Sequence, residues 1–349
     1  MRWVSFYAWI ASGRLTQALG KERSETGSDQ FSSAGFWRTL GLALTWCIPP
    51  RDIRLFGLIE APATAADFVY DHEVHAYHGL RSEALGVKRS SLRHLQDKSA
   101  LSEVLTAQGV PMVPTVLSIA QGDNQSFVSR LSSDTKVFCK MRSGNQGRGA
   151  FAAWHQDGRW VGQTFQGKPL ETIEALELAW RSLLKLDDAL IQPYLINHPE
   201  LESLALDAQT VTIRLISTWD QATVKTLLAI LEIPTHRDPE TQSTLYAILP
   251  IDAETGQVMP WPKAPPLPAK AQEAAATVLA LLTSSWRIPF WEALVESSFK
   301  AHGVFPDVRS IAWDWAVTPE GPRLLEGNTG WGASVPQRLL GGFLKDGKI

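Results

Sequence analysis

At 349 residues, 44% hydrophobic and 20% charged, the chain is long enough for two or three domains and has an ordinary globular composition. Its formal net charge of −3 excludes a global basic field for nucleic acid or anionic lipid. Two cysteines, Cys47 and Cys139, lack metal spacing and cannot form a disulfide framework, so the chain is expected in a reducing cytoplasm.

The opening "MRWVSFYAWIASGR" is a poor signal peptide, since its apolar part is short and mixed. Residues up to about 95 read as mainly helical, with a Ser/Gly-rich loop over 22–35. The stretch "FWRTLGLALTWCIPP" contains Arg38 and ends at a proline pair, too short to span a bilayer. It reads as a buried helix, with a membrane-surface helix as the alternative. No transmembrane segment is expected. The fourteen Trp residues read mostly as packing residues. "YDHEVHAYH" holds His72, His75 and His78 but lacks the H-E-x-x-H spacing. On a helix of 3.6 residues per turn, positions 72 and 78 lie about 120° apart, so a polar helix is expected here rather than a metal site.

Further on, "LQDKSALSEVLTAQGVPMVP" spaces Leu101, Val104, Leu105 and Gln108 as a helix that Gly109 stops. "KVFCKMRSGNQGRGAF" reads as a short strand closed by Lys140, then a loop carrying Gly144, Gly147 and Gly149. Such glycines let backbone amides approach an anion, although a plain surface hairpin fits the same text. Lys98, at a helix start, could reach the same anion or sit in solvent. "PLETIEALELAWRSLLKL" is an amphipathic helix, and "DALIQPYLI" a strand that could hold an adenine edge at Tyr194 and Leu195. "TVTIRLIST" and "VKTLLAILEIP" read as two strands. Arg214 is a lone charge in the first, either paired structurally or turned into a site for a carboxylate or phosphate. "KAPPLPAK" is a proline-rich connector before the helix "AKAQEAAATVLALLTSSW".

The last block, "RSIAWDWAVTPEGPRLLEGN", reads as a hairpin. Strand alternation puts Ile311, Trp313, Trp315 and Val317 on a core face and Asp314 on the other, between Ala312 and Ala316. By the same rule Leu324, Glu326 and Asn328 share a face. A three-residue Pro319–Glu320–Gly321 loop makes Thr318 face Pro322 and sets Asp314 directly opposite Glu326. Opposed Cβ atoms lie about 4.5–5.5 Å apart, where like charges repel. A divalent cation with Asn328 as a third oxygen ligand would relieve this, and Mg2+ suits such a set with added phosphate oxygens. A solvated hairpin with Arg or Lys partners is the competing reading.

In this order the elements resemble the ATP-grasp superfamily of carboxylate–amine ligases. The nearest likeness is its sugar-transfer-associated, alpha-L-glutamate ligase-related branch. The resemblance covers roughly residues 95–335. It implies an α+β ATP-grasp fold, two lobes sandwiching ATP behind a helical N-terminal region. The divisions are 1–95, a lobe with the glycine-rich loop over 96–195, and a lobe with the metal hairpin over 196–349. Position by position, Lys98 and Lys140 resemble phosphate-binding lysines, Ser143 to Gly149 a lid, and Gln192, Tyr194 and Leu195 the adenine hinge. Asp314, Glu326 and Asn328 resemble the magnesium ligands, and Arg214 the arginine facing the acyl phosphate or substrate carboxylate. The branch often has Asn where this chain has Val211, and an Asp-Asn and paired-Gly segment where it has "RDPETQSTLYAILPID". The implied activity is ATP- and Mg2+-dependent ligation of small-molecule carboxylate and amine substrates through an acyl phosphate. Cell-surface polysaccharide or secondary-metabolite synthesis is the implied setting. A non-catalytic nucleotide-binding partner of such a pathway and an ATP-grasp kinase are the alternatives.

Overall fold

The structure is a computed structural model describing Phe6 and residues 33–132, 136–144, 147–205, 209–220, 222–237, 244–262, 269–283 and 285–345, with backbone only at 33–36, 236–237 and 269–271. Its helices are α1 (Ser33–Trp46), α2 (Pro50–Leu55), α3 (Val74–Glu83), α4 (Arg89–Gln96), α5 (Lys98–Ala107), α6 (Ile173–Leu184), α7 (Pro199–Glu202), α8 (Ala269–Leu281), α9 (Trp291–Gly303) and α10 (Ser334–Leu340). Its strands are β1 (Leu117–Ile119), β2 (Val137–Met141), β3 (Phe151–Gln156), β4 (Arg159–Thr164), β5 (Pro169–Leu170), β6 (Ala189–Pro193), β7 (Thr212–Asp220), β8 (Thr223–Arg237), β9 (Thr244–Ile251), β10 (Ser310–Thr318) and β11 (Gly321–Asn328).

The strands form two antiparallel sheets, β1-β6-β2-β3-β4-β5 and β11-β10-β7-β8-β9. In β2, alternation sends Val137, Cys139 and Met141 into the first core and leaves Phe138 and Lys140 for the other face. That core is closed by α6, which Thr172 caps by accepting the Ala175 amide through its hydroxyl. Phe127 packs there between Phe151 and Trp180, with ring centroids 5.4 and 5.3 Å away.

The second sheet is covered on both faces. One face carries Ile213, Leu215, Leu231, Trp313, Trp315 and Val317 against α9 and α8. Leu101 and Leu105 of α5 enter this same core, although α5 precedes every strand of the first sheet. The following segment stays with them: the Leu324 amide donates to Pro111 O at 2.8 Å, and the Val113 amide to Leu324 O at 3.1 Å. On the opposite face, Ile216, Leu228, Ile230 and Ala312 are covered by Val69, Val74, Trp331 and Phe343. The N-terminal region and the C-terminal segment thus together seal one part of that face. The other part, with Arg214, Glu232 and Asp314, is left to line a cleft.

The expected hairpin forms, but by a different route. Thr318 pairs with Gly321 and Val317 with Pro322, so the loop is two residues, Pro319 and Glu320, not three. A bulge between Asp314 and Trp315 then absorbs Leu325 and restores Asp314 opposite Glu326. Consequently Leu324 does not share a face with Glu326 and Asn328. It lies in the core, while Leu325 and Glu326 both face the cleft. The 36–50 stretch is not a wholly buried helix: Ala43 is buried, whereas Trp37 and Leu44 of α1 are 66% and 54% exposed. Of the expected loop over 22–35, residues 33–35 begin α1 and 22–32 lie outside the described residues, as does 263–268 of the proline-rich connector. The β3–β4 hairpin, β9 and α9 have no counterpart in the sequence reading.

Leu176 of α6 is fully buried and Leu178, two positions on, is 68% exposed. Leu176→Ala is expected to cost about 2–5 kcal/mol, and Leu178→Ala less than about 0.5 kcal/mol, measured by urea denaturation.

Candidate active site

A cavity of about 470 Å³ lies between the two sheets. The first sheet contributes Phe138 and Lys140 of β2 with Ala150 and Ala152, and the strand end Gln192, Tyr194 and Leu195 forms its back. The second sheet contributes Thr212, Arg214, Glu232, Asp314 and Glu326. Lys98 enters from the N-terminus of α5.

The second-sheet face is built around opposed carboxylates. Asp314 pairs with Glu326 across the hairpin and with Arg214 across β7. Arg214 grips Asp314 by two hydrogen bonds, Nε to Oδ1 at 2.7 Å and Nη2 to Oδ2 at 3.1 Å. Its Nη1 lies 3.5 Å from Glu232 Oε1. Lys98 Nζ stands 3.5 Å from Glu326 Oε2 and also donates to the Gly144 carbonyl. Asn328 Nδ2 reaches Asp314 Oδ2 and Glu326 Oε1, each at 3.2 Å. A half-turn of this amide would bring its oxygen to the same place.

These charges do not share one environment. Burial lifts the Asp314 carboxyl, and Glu326 and Glu232 add to the lift against the opposing pull of Arg214. Burial also acts to raise Glu326, but Lys98, Asn328 and Lys140 outweigh it and hold Glu326 low. Burial, with Lys98 nearby, pulls the Lys140 ammonium down to about 8 against the attraction of Glu326.

The glycine-rich loop contributes unevenly. Gly144 and Gly147 line the cavity, whereas Ser143 and Gly149 lie outside its lining. The Ser143 amide is engaged by Asp187 Oδ2 at 2.7 Å. Gly147 has φ +62°, and a Cβ there would run into the Phe165 ring, so the loop requires glycine at this point. Asn145 and Gln146 lie outside the described residues. At the back wall, the Tyr194 amide already donates to Lys136 O at 3.0 Å, and Lys136 Nζ sits 3.7 Å from the Tyr194 ring centroid. Gln209 Nε2, on the same cavity, is buried with no hydrogen-bond partner among the described residues.

Arg142 was missed by the sequence reading. Its Nε and Nη2 bind Asp97 Oδ1 and Oδ2 at 2.8 and 2.6 Å. Asp97 also accepts the Ser99 and Ala100 amides, so one carboxylate starts α5 and anchors the loop after β2. Arg148, Glu232 and Tyr246 are further cavity residues not anticipated. Glu232 carries the same signal that marked Arg214, a lone charge in an apolar strand. The three histidines diverge. His72 lies near Phe6 and Tyr70, Gly330 backs onto His75, and His78 is buried with Nε2 3.0 Å from Trp331 O. The helix is therefore not wholly the polar helix expected, since His78 is buried. No group of three or more His, Cys, Asp or Glu placed to hold a metal occurs among the described residues.

A sequence model of the family described as sugar-transfer associated ATP-grasp matches residues 84–344. The chain belongs to this family. Comparison with curated protein sequences gives no match. Among solved structures, it is similar to D-alanine–D-alanine ligase from Helicobacter pylori at 13% identity, over 72% of this chain and 58% of that one, with TM-score 0.43. It is similar to biotin carboxylase from Campylobacter jejuni in a β,γ-ATP complex at 15% identity, over 71% and 43%, with TM-score 0.41. It is similar to the ATP-grasp ligase PsnB with its minimal precursor at 13% identity, over 71% and 56%, with TM-score 0.39. The chain spans between about two fifths and three fifths of the length of these three proteins. Family membership rests on the sequence match alone.

Arg142, followed by the α5 amides, holds the Asp97 carboxyl below its ordinary value against burial. Its stabilisation is present above the unfolded carboxylate pKa, about 4, and is lost as pH falls through the lower folded value. Asp97→Asn is expected to be less stable at neutral pH and to lose less stability on acidification than the wild type, read from urea midpoints between about pH 3 and 7.

Proposed function

We propose that the cavity binds Mg-ATP and that the chain uses it to activate a small-molecule carboxylate as an acyl phosphate for attack by an amine or similar nucleophile. The observation that carries this reading is the Asp314–Glu326 opposition in one cavity with Lys98 and Lys140. The donor set fits Mg2+: two carboxylates and an amide oxygen are hard oxygen ligands of the kind it takes alongside phosphate oxygens. Gln209 Nε2 offers the nucleotide an unused buried donor. The apolar side chains of Phe138, Ala152 and Leu325, near Tyr194 and Leu195, suit a flat base.

In this reading Asp314, Glu326 and Asn328 hold the cation. When bound, the cation neutralises phosphate oxygens and aligns the transferred group. Lys98 and Lys140 meet the phosphates, with Gly144 and Gly147 on the same cavity lining. Arg214 holds Asp314 in place and pulls against the burial that favours its protonated form, and the N–H groups not bonded to Asp314 would face the reacting carboxylate. No side-chain nucleophile is required. The division at 1–95, 96–195 and 196–349 is kept as the functional one, with α5 as the element that brings Lys98 to both lobes. A cytoplasmic setting accords with Cys47 and Cys139 being buried and outside any disulfide. No helix among the described residues is long and apolar enough to cross a membrane.

Incubation with ATP, Mg2+ and a panel of acids, with and without amines, tests the reading. Amine-dependent phosphate release is expected. A stable phosphorylated product would indicate a kinase, and tight ATP binding without turnover a non-catalytic partner. Glu326→Gln is expected to lower turnover by on the order of 100-fold or more while the protein stays folded by circular dichroism. Undiminished turnover would remove Glu326 from the metal site. Lys140→Ala is expected to weaken ADP binding about 10- to 100-fold in calorimetry.

The depressed Lys140 ammonium gives the pH sign. Phosphate favours its charged form, so nucleotide affinity should hold below about pH 8 and fall above it, as binding comes to require proton uptake. Calorimetry across that range checks this, and Lys140→Ala should flatten the profile.

A further inference from the structure

The second sheet carries one more charge than nucleotide binding uses. Glu232 lines the cavity from β8, opposite Thr212 of β7. Its contacts are long: Oε2 accepts from Thr212 Oγ1 at 3.4 Å, and Oε1 lies 3.5 Å from Arg214 Nη1. The two short bonds of Arg214 both go to Asp314. One guanidinium therefore stands between two carboxylates and satisfies one of them well. Lys98 is engaged by Glu326 and by the Gly144 carbonyl, so it does not neutralise Glu232 either. Tyr246 of β9 lines the cavity on the same wall, and burial, with Glu232 nearby, raises its phenol so that it stays protonated at neutral pH. A cavity carboxylate whose side chain is only 20% exposed and whose two contacts are both long is stabilised by an incoming cation.

We propose that Glu232, with Thr212 and Tyr246 beside it, is the seat of the second substrate, a primary amine that docks as its ammonium ion. This rests on the acid-activating reading, which needs a nucleophile, and it supplies the charge class in which that nucleophile docks: the ammonium passes a proton to Glu232, the free amine forms the C–N bond, and phosphate leaves as the acyl C–O bond breaks. A carboxylate-bearing or neutral nucleophile is disfavoured at this wall. The ammonium replaces the long Arg214 contact of Glu232 and leaves the Arg214–Asp314 pair intact.

Butylammonium, butyrate and 1-butanol are isosteric probes differing in charge. Ligand-observed saturation-transfer NMR with Mg-ADP present should detect butylammonium on the wild type, with butyrate and butanol at least about tenfold weaker. Glu232→Gln should weaken butylammonium at least about tenfold, and Tyr246→Phe a few-fold. Equal butylammonium binding to wild type and Glu232→Gln overturns the proposal, as does butyrate binding as well as butylammonium. Should Glu232→Gln fail to fold, the wild-type charge ranking and the Tyr246→Phe shift decide the matter. ADP titration is a separate arm. Absent ADP binding to the wild type sinks the nucleotide reading and leaves the ammonium seat to be judged in nucleotide-free NMR. Loss of ADP affinity in Glu232→Gln with amine binding intact assigns Glu232 to the nucleotide and overturns the seat.

Discussion

The direct opposition of Asp314 and Glu326 is the constraint around which the second sheet is arranged. Two carboxylates on facing rungs of a hairpin repel, and both are largely withdrawn from water, which deepens the cost. Each neighbour answers part of it. Arg214 comes from the adjoining strand at the matching rung, Lys98 from the start of a helix, and Asn328 from two residues along the same strand. Arg214 and Lys98 balance the two carboxylates in the resting cavity, and a divalent cation arriving with phosphate ligands would take over that balancing role.

The arrangement explains why α5 packs where it does. Lys98 must reach Glu326 from one side and the Gly144 carbonyl from the other. Burying Leu101 and Leu105 in the second core fixes the helix to the hairpin, while the Asp97–Arg142 pair fixes its first turn to the loop of the first sheet. The N-terminal region plays a complementary part. Together with Trp331 and Phe343 of the C-terminal segment, it covers Ile216, Ile230 and Ala312, removes that part of the sheet face from solvent and leaves the charged part as the cavity wall.

Much of this could be read in the chain. The lone charges of β10 and β7, the β2 alternation that separates Lys140 from Cys139, and the order of the motifs are local patterns, and they led to the family that the sequence match establishes. Residues whose position depends on distant pairing were harder to see. Arg142 matters because Asp97, far back in sequence, receives it. Glu232 matters because β8 lies beside β7 in a register that brings Glu232 opposite Thr212. The His72–His75–His78 run looked polar by composition, yet His78 turns inward because Trp331, from the far end of the chain, packs over it. Nothing near position 78 in sequence announces that partner.

The bulge at Leu325 sets the register of the acidic pair. Rungs in a hairpin are counted from the turn, so a one-residue insertion or deletion there ordinarily exchanges every side chain between faces. Here a short turn and an extra residue further up the strand compensate, and the acidic pair ends where a longer, unbulged turn would also put it. A turn one residue longer, with the bulge removed, would leave Asp314 and Glu326 in the same mutual position, so in this hairpin turn length and bulge offset one another.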